Sequence, residues 1–289
     1  MNDDAWQPRT RDVQRRFDRV AADFDRADFV HRSTAAGLLE RLAPVTLQAG
    51  HVLDLGAGTG SLGRELSRFF GRARVVSLDL SHGMLRRARH KRWRFARRAE
   101  LQASASAIPL RTDSIDAVVA NQLLPWLGDP AALFAEVARV LRRDGLFAFA
   151  ALGPDSLREL RDAFADDEPH VFRFPDMHDL GDAMVRAGLR DPVLDVDHLR
   201  IEYRDTRSLY RDLAACGARN TLAGRRRTLT GKARFARLDA ALAAQFREGR
   251  LGVTLELVYG HAWGGAQPMQ DGEFRVDVAE LVGRRRQHR

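Results

Sequence analysis

A glycine-rich turn follows a short apolar run in Val52-Leu53-Asp54-Leu55-Gly56-Ala57-Gly58-Thr59-Gly60, and a second acidic residue, Asp79, closes the next apolar run. Glycines at 56, 58 and 60 admit backbone angles that side chains disfavour and let a ligand approach the main chain without meeting a Cβ. The stretch Gly58-Thr59-Gly60-Ser61-Leu62-Gly63 also satisfies the Gly-x-Gly-x-x-Gly spacing of a dinucleotide-binding turn. Asp54 argues for a different ligand. A carboxylate at that strand end repels a pyrophosphate but holds an ammonium group, directly or through water. Asp79, with Leu80 beside it, can accept both hydroxyls of a ribose through its two oxygens. Together they suit a nucleoside that carries a cationic amino acid.

These residues need strands that end together and helices that follow them. His51 to Leu55, Arg74 to Leu78, Glu100 to Ala103, Ile115 to Ala120 and Leu146 to Ala151 read as strands. Helices are expected at Ser61 to Phe70, Ser81 to about Arg97 and Asp129 to Leu141, the last with Leu133, Phe134, Val137, Val140 and Leu141 on one face. Alternation of this kind predicts an α/β fold with a parallel sheet covered on both faces. Beyond 151 come a helix from Pro154 to about Phe164, a loop through Pro169 and Pro175, and a helix from Met177 to Ala187 ended by Gly188. Strands at Val193 to Tyr203 and Val253 to Trp263 flank a basic helical stretch. The organisation expected is a helical N-terminal cover at 1–48, a ligand-binding core at 49–205, an inserted helical cap at 206–250, the last core strand at 251–264 and a loosely held tail at 265–289.

The 289 residues, 45% hydrophobic and 30% charged, describe a globular chain, not a disordered or repetitive one. No apolar stretch approaches membrane-spanning length, the first ten residues lack a signal-peptide core, and the single Cys216 has no internal partner, so a cytoplasmic location is expected. The net charge of +8 suggests an acidic partner, although all but two of the basic residues are Arg, as a GC-rich coding sequence also produces. No metal-ligand spacing and no Gly-x-Ser-x-Gly elbow occurs. Asn121-Gln122-Leu123-Leu124-Pro125-Trp126 has the wrong spacing for an amine-methylating Asn/Asp-Pro-Pro-aromatic loop, so a nucleic-acid substrate is not expected.

The turn, Asp54 and Asp79 resemble the class I S-adenosylmethionine-dependent methyltransferases over about residues 48 to 200. That resemblance implies a Rossmann-like seven-stranded sheet, S-adenosylmethionine as cofactor and S-adenosylhomocysteine as product. The family commonly has an acidic residue after the third strand for the adenine amine; this chain has Ser104 followed by Ala105, leaving a hydroxyl and backbone groups for that contact. Asn121, in the loop after the fourth strand, is assigned to both cofactor and acceptor.

The second half is more specific. Leu152-Gly153-Pro154-Asp155-Ser156-Leu157-Arg158-Glu159-Leu160, Phe174-Pro175-Asp176-Met177-His178-Asp179-Leu180-Gly181, Gly217-Ala218-Arg219-Asn220 and Val258-Tyr259-Gly260-His261-Ala262-Trp263 resemble the malonyl-acyl-carrier-protein O-methyltransferases of biotin synthesis, from about Phe17 to Trp263. Phe24 stands where an aromatic, often Tyr, is usual, and Pro125 where Gln usually precedes Trp126. The resemblance implies methylation of the free carboxylate of a malonyl thioester on acyl carrier protein or coenzyme A. Residues expected at the acceptor are Asn121, Trp126, His170, Arg173 and Tyr259. The basic insertion, with Arg225, Arg226, Arg227, Lys232 and Arg234, is expected to steer an acidic carrier. Two other readings stand beside this one. They are an assembly-factor-like enzyme that modifies a protein arginine, and a non-catalytic S-adenosylmethionine-binding scaffold.

Overall fold

The structure is a computed structural model that describes residues 3–91, 98–164, 166, 168–228 and 231–265. The end of the helix expected to run to Arg97 and the tail from 266 onward lie outside these residues. In chain order the elements are α1 (Thr10–Val20), α2 (Phe29–Leu42), β1 (His51–Leu55), α3 (Ser61–Phe69), β2 (Arg74–Asp79), α4 (His82–His90), β3 (Arg98–Gln102), β4 (Ile115–Asn121), α5 (Pro130–Val140), β5 (Leu141–Leu152), α6 (Arg158–Ala163), α7 (Met177–Arg186), β6 (Leu189–Tyr203), α8 (Thr206–Ala215), α9 (Lys232–Ala243) and β7 (Leu251–Gly264). The sheet has seven strands in the order β3-β2-β1-β4-β5-β7-β6, with β7 antiparallel to both its neighbours. Strand order reverses between β1 and β4, so their carboxyl ends open a crevice where an α/β sheet binds its ligand.

The strands show why both faces are covered. Along β5, Phe147, Phe149 and Ala151 point into one core with Phe134, Val137, Leu180 and Met184 of α5 and α7. The alternate residues Leu146, Ala148 and Ala150 point into a second core with Leu38 and Leu42 of α2 and Leu62 and Leu66 of α3. Large side chains thus fill the first layer, while alanines let α2 lie close on the second face.

Differences from the sequence reading lie at element ends. The helix expected from Pro154 begins only at Arg158, because Leu157 has a left-handed backbone (φ +58°) that breaks the turn before it. β5 starts at Leu141 instead of Leu146, with an irregular register between Ile115 and Ala117 opposite. Asp129, Asp176 and Asp205 each accept a backbone N–H at the start of α5, α7 and α8, as helix caps. Among the described residues no helix is long and apolar enough to cross a membrane.

The segment between β6 and β7 carries α8 and α9, and it packs Leu209 and Leu242 with Ala163 of α6 and Leu251 and Val253 of β7. Its linker joins the N-terminus: Gly224 N donates to Ala5 O and Ala223 N to Gln7 O (both 2.8 Å), and Arg9 N to Thr221 O (3.1 Å).

Candidate active site

A cleft of about 450 Å³ opens at the carboxyl ends of β1, β2 and β4 and is roofed by α1, the start of α2 and the turn at Phe24. The size is that of a small-ligand site. The turn after β1 follows the sequence expectation. Gly56, Gly58 and Gly60 have φ of +75°, +53° and +78°. A Cβ on Gly58 would meet nothing within 4 Å, which leaves its main chain bare toward the cleft, whereas one on Gly60 would strike Arg98 and Ala88 at 2.8 and 2.9 Å. Gly63 adds a requirement: a Cβ there would lie 2.6 Å from Asp54 Oδ2, so only glycine lets α3 start against that carboxylate.

The two acidic residues are held differently. Asp54 is buried beside the Arg98 charge, with the Ser77 hydroxyl 3.4 Å from its Oδ2. Burial pushes its carboxyl up to about 7, with Arg98 opposing. Asp79 accepts Ser81 N on Oδ1 (2.7 Å) and Gly58 N on Oδ2 (2.8 Å). Each oxygen keeps a second lone pair. Burial pushes Asp79 up to about 6, against the pull of those two N–H groups. The folded, ligand-free chain therefore binds more protons than the unfolded chain between about pH 4 and 7, and the stability these carboxyls contribute is present at low pH and lost as pH rises through 6 and 7. Accordingly, the stability of Asp54→Asn relative to the unsubstituted chain is expected to improve between about pH 5 and about pH 8 in urea titrations without ligand. A difference that stays constant across that range would contradict the placement of Asp54.

Leu80, Ser104 and Ala105 line the same cleft, as does Asn121. Ser104 Oγ accepts Ser106 N at 3.2 Å. The Asn121 amide is occupied on both sides: Nδ2 donates to His31 O and Oδ1 accepts the Thr34 hydroxyl, both at 2.8 Å. It thereby pins α2 to the end of β4. Trp126 follows in a short 3-10 turn that Pro125 suits, and its ring packs edge-to-face on Phe17 (4.9 Å) and Phe172 (5.2 Å). This aromatic group forms a wall joining α1, the loop after β4 and the loop before α7.

The other three acceptor candidates lie outside the cleft. His170 stacks on Phe164 (3.8 Å between centroids), and its Nε2 is 2.6 Å from Asp166 Oδ1. Arg173 is exposed, with its guanidinium 3.9 Å over the Trp6 ring. Tyr259 is buried on the α2 face of the sheet under the Arg41 guanidinium, and its hydroxyl would strike a Cβ on Gly37. Asp166, Glu168 and His170 gather their ligand-type atoms within 4.8 Å. The Arg234 guanidinium already answers that negative charge, at 2.5 Å from Asp166 and 2.8 Å from Glu168.

Several residues of the cleft had no signal in the sequence. His31 faces it edge-on to Phe24 (5.0 Å); its Nδ1 is buried without a partner among the described residues, and burial holds its pKa down at about 4, so the ring is neutral. Gln122 has a left-handed backbone (φ +56°), a local strain of the order of 1 kcal/mol that the surrounding structure sustains, and a buried Nε2 without a partner among the described residues. The roof is tied down by carboxylates. Asp25 accepts the Thr59 hydroxyl (2.5 Å) and pairs with Lys91. Asp18 accepts the Ser81 hydroxyl (2.6 Å) and Gly83 N (2.8 Å) at the positive start of α4.

Comparison with known proteins agrees with this geometry. Residues 53–149 match the family model described as a methyltransferase domain. The malonyl-acyl-carrier-protein O-methyltransferase of Laribacter hongkongensis is 44% identical over 93% of this chain and 94% of its own length. That of Halorhodospira halophila is 41% identical over 98% and 99%. Among solved structures, the YcgJ protein of Bacillus subtilis superposes with a TM-score of 0.60 at 17% identity, covering 82% of this chain and all of that one. The phosphoethanolamine N-methyltransferase 2 of Haemonchus contortus, solved with S-adenosyl-L-methionine, has a TM-score of 0.55 at 16% identity, covering 86% and 57%. These two share the fold. With the glycine turn, Asp54 and Asp79 arranged around one cleft, and with identity above 40% across nearly the whole length, the chain belongs to the malonyl-acyl-carrier-protein O-methyltransferase family of S-adenosylmethionine-dependent methyltransferases.

Proposed function

We propose that this chain methylates the free carboxylate of a malonyl thioester carried by acyl carrier protein, in biotin precursor synthesis. The observation that carries the reading is 41–44% identity over nearly the whole length to enzymes of that name, together with a cleft lined by the glycine turn, Asp54 and Asp79. Bound in the cleft, S-adenosylmethionine supplies a methyl group on a sulfonium sulfur. The chain fits that ligand. Gly58 leaves its backbone open to the cleft, Asp79 keeps lone pairs for two ribose hydroxyls, Asp54 attracts an ammonium group, and Leu80, Ser104 and Ala105 flank the remaining space.

A malonyl carboxylate is already ionised at neutral pH, so no residue has to remove a proton. The chain's task is to strip water from the carboxylate and aim one oxygen at the methyl carbon. In accepting a methyl group from S-adenosylmethionine held by the glycine turn, Asp54 and Asp79, the carboxylate would lose its charge. A strong cation beside the carboxylate would therefore hold the ground state more than the transition state. The wall of Trp126, Phe17 and Phe172, with neutral His31 nearby, supplies shape and exclusion of water without such a charge. Asn121 acts by fixing α2 and so the roof.

Incubation of the purified chain with S-adenosylmethionine and malonyl-acyl carrier protein is expected to add one methyl group to the malonyl moiety, seen by mass spectrometry and removed by an esterase. Malonyl-coenzyme A in parallel ranks the two acceptors. Absence of the methyl group from both, with cofactor binding demonstrated, would overturn the reading.

A further inference from the structure

A second hollow, of about 1220 Å³, lies behind the wall of the cofactor cleft. Val13, Gln14 and Phe17 of α1 line the first, whereas Arg16 lines the second, so one helix, about 10 Å across, separates them. The loop before α7 connects the two: Phe164 and His170 line the hollow, and Phe172 touches Trp126. Asn220 fastens that loop by donating from Nδ2 to Pro169 O (2.6 Å), and the adjacent Gly217 packs against Phe17. A shallower groove continues outward along α8, sharing Tyr210 and Arg219 with the hollow and adding Arg19, Arg207 and Arg211.

The charge of this face differs from the count along the sequence. Arg234 is neutralised by Asp166 and Glu168, Arg225 by Asp12, and Asp23 is taken by Arg26. Arg16, Arg19 and Arg219 make no ion pair among the described residues, and Arg16 stands close enough to the other two to be repelled by both. Arg16 is partly buried, its Nε has no hydrogen-bond partner among the described residues, and burial together with Arg219, Arg19 and Arg225 lowers its pKa against the pull of Asp12. Phe235, 47% exposed, leans on the Tyr210 ring at 5.3 Å and gives the face an apolar anchor. Arginines left without an ion pair are complementary to a surface that brings carboxylates. Their spread over two joined grooves fits a macromolecule better than a small anion.

We propose that the face built by α1, α8 and the segment 217–226, centred on Arg16, Arg19 and Arg219, docks the acidic surface of the acyl carrier protein and places its thioester arm at the Trp126 wall. The inference rests on the methyl-acceptor reading above. A nucleic acid is the other polyanion of suitable size, but among the described residues the aromatic rings that line these grooves already pack on one another, Phe164 with His170 and Tyr210 with Phe235.

The test uses the full chain with Arg19→Glu and Arg219→Glu combined, and Arg19→Gln with Arg219→Gln as a milder pair. Fluorescence anisotropy of labelled acyl carrier protein is expected to show binding weakened about tenfold or more by the Glu pair and less by the Gln pair, and raised salt should weaken the unsubstituted chain most. kcat/KM should fall by the same factor with malonyl-acyl carrier protein and stay within about twofold with a short malonyl thioester that carries no protein or nucleotide. Equal loss with both acceptors, unchanged carrier binding in both pairs, or no carrier binding by the unsubstituted chain would each overturn the proposal. So would release of RNA by the variants with carrier binding intact, which would assign the face to nucleic acid. Carrier binding is read without turnover, so a chain that binds carrier but methylates none of it separates failure of the function from failure of the docking face.

Discussion

Replacement of Asp79 by Ala is expected to weaken binding of S-adenosylhomocysteine by about two orders of magnitude. A carboxylate that accepts two hydroxyl groups makes charge-assisted hydrogen bonds worth roughly 1.5–3 kcal/mol each, not fully additive, and about 2.7 kcal/mol corresponds to a hundredfold. Both Asp79 oxygens already hold backbone N–H groups, from Gly58 and Ser81, so the substitution also loosens the turn that the ligand rests on. The two contributions separate with a ligand lacking a ribose hydroxyl. If Asp79 receives the ribose, the deoxy ligand binds the unsubstituted chain more weakly than S-adenosylhomocysteine does, and that difference vanishes in Asp79→Ala. Calorimetric titration of both ligands against both proteins reads this directly. Unchanged affinity in Asp79→Ala, or an undiminished ribose effect, would remove the assignment.

The parts of the site visible in the sequence are those fixed by local backbone requirements. A parallel strand buried on both faces must be apolar throughout, which exposes β1 and β4 at once. A turn with three left-handed positions within five residues must draw on glycine, which exposes the loop after β1. The roof was illegible because it depends on contacts between distant residues. Asp18 reaches Ser81 and Gly83, Asp25 reaches Thr59, and Asn121 reaches back to His31 and Thr34, and nothing in the local pattern of any of these residues announces the partner.

Tyr259 shows a different limit. Alternation along β7 says that Tyr259, His261 and Trp263 share a face, but not whether that face meets the cleft or a helix; its register against β5 and β6, with α2 laid over it, decides for the helix. The basic insertion shows a third. Arg225 and Arg234 count as positive in the sequence and are neutralised in the fold by Asp12, Asp166 and Glu168, whereas Arg16 and Arg19 on an N-terminal helix and Arg219 make no ion pair among the described residues.

Trp126 gives the second large effect, and it should fall on turnover and leave cofactor binding nearly untouched. Its ring bridges Phe17 of the roof and Phe172 of the loop before α7, so Trp126→Ala removes a side chain that spans both sides of the acceptor wall. Water then reaches the carboxylate and its oxygen loses a fixed approach to the methyl carbon. A misplacement of about 1 Å costs on the order of a hundredfold in rate, and that is the loss expected in kcat with malonyl-acyl carrier protein. Affinity for S-adenosylhomocysteine should change by less than about threefold, because Asp54, Asp79 and the glycine turn do not depend on the indole. Trp126→Phe, which keeps an aromatic edge for both neighbours, should recover most of the rate. The comparison separates positioning from packing. A fall in KM-dependent binding of cofactor and acceptor together, or an equal loss in Trp126→Phe and Trp126→Ala, would mean that the indole supports the fold or makes a specific polar contact, and the aromatic wall would lose its role in aiming the carboxylate.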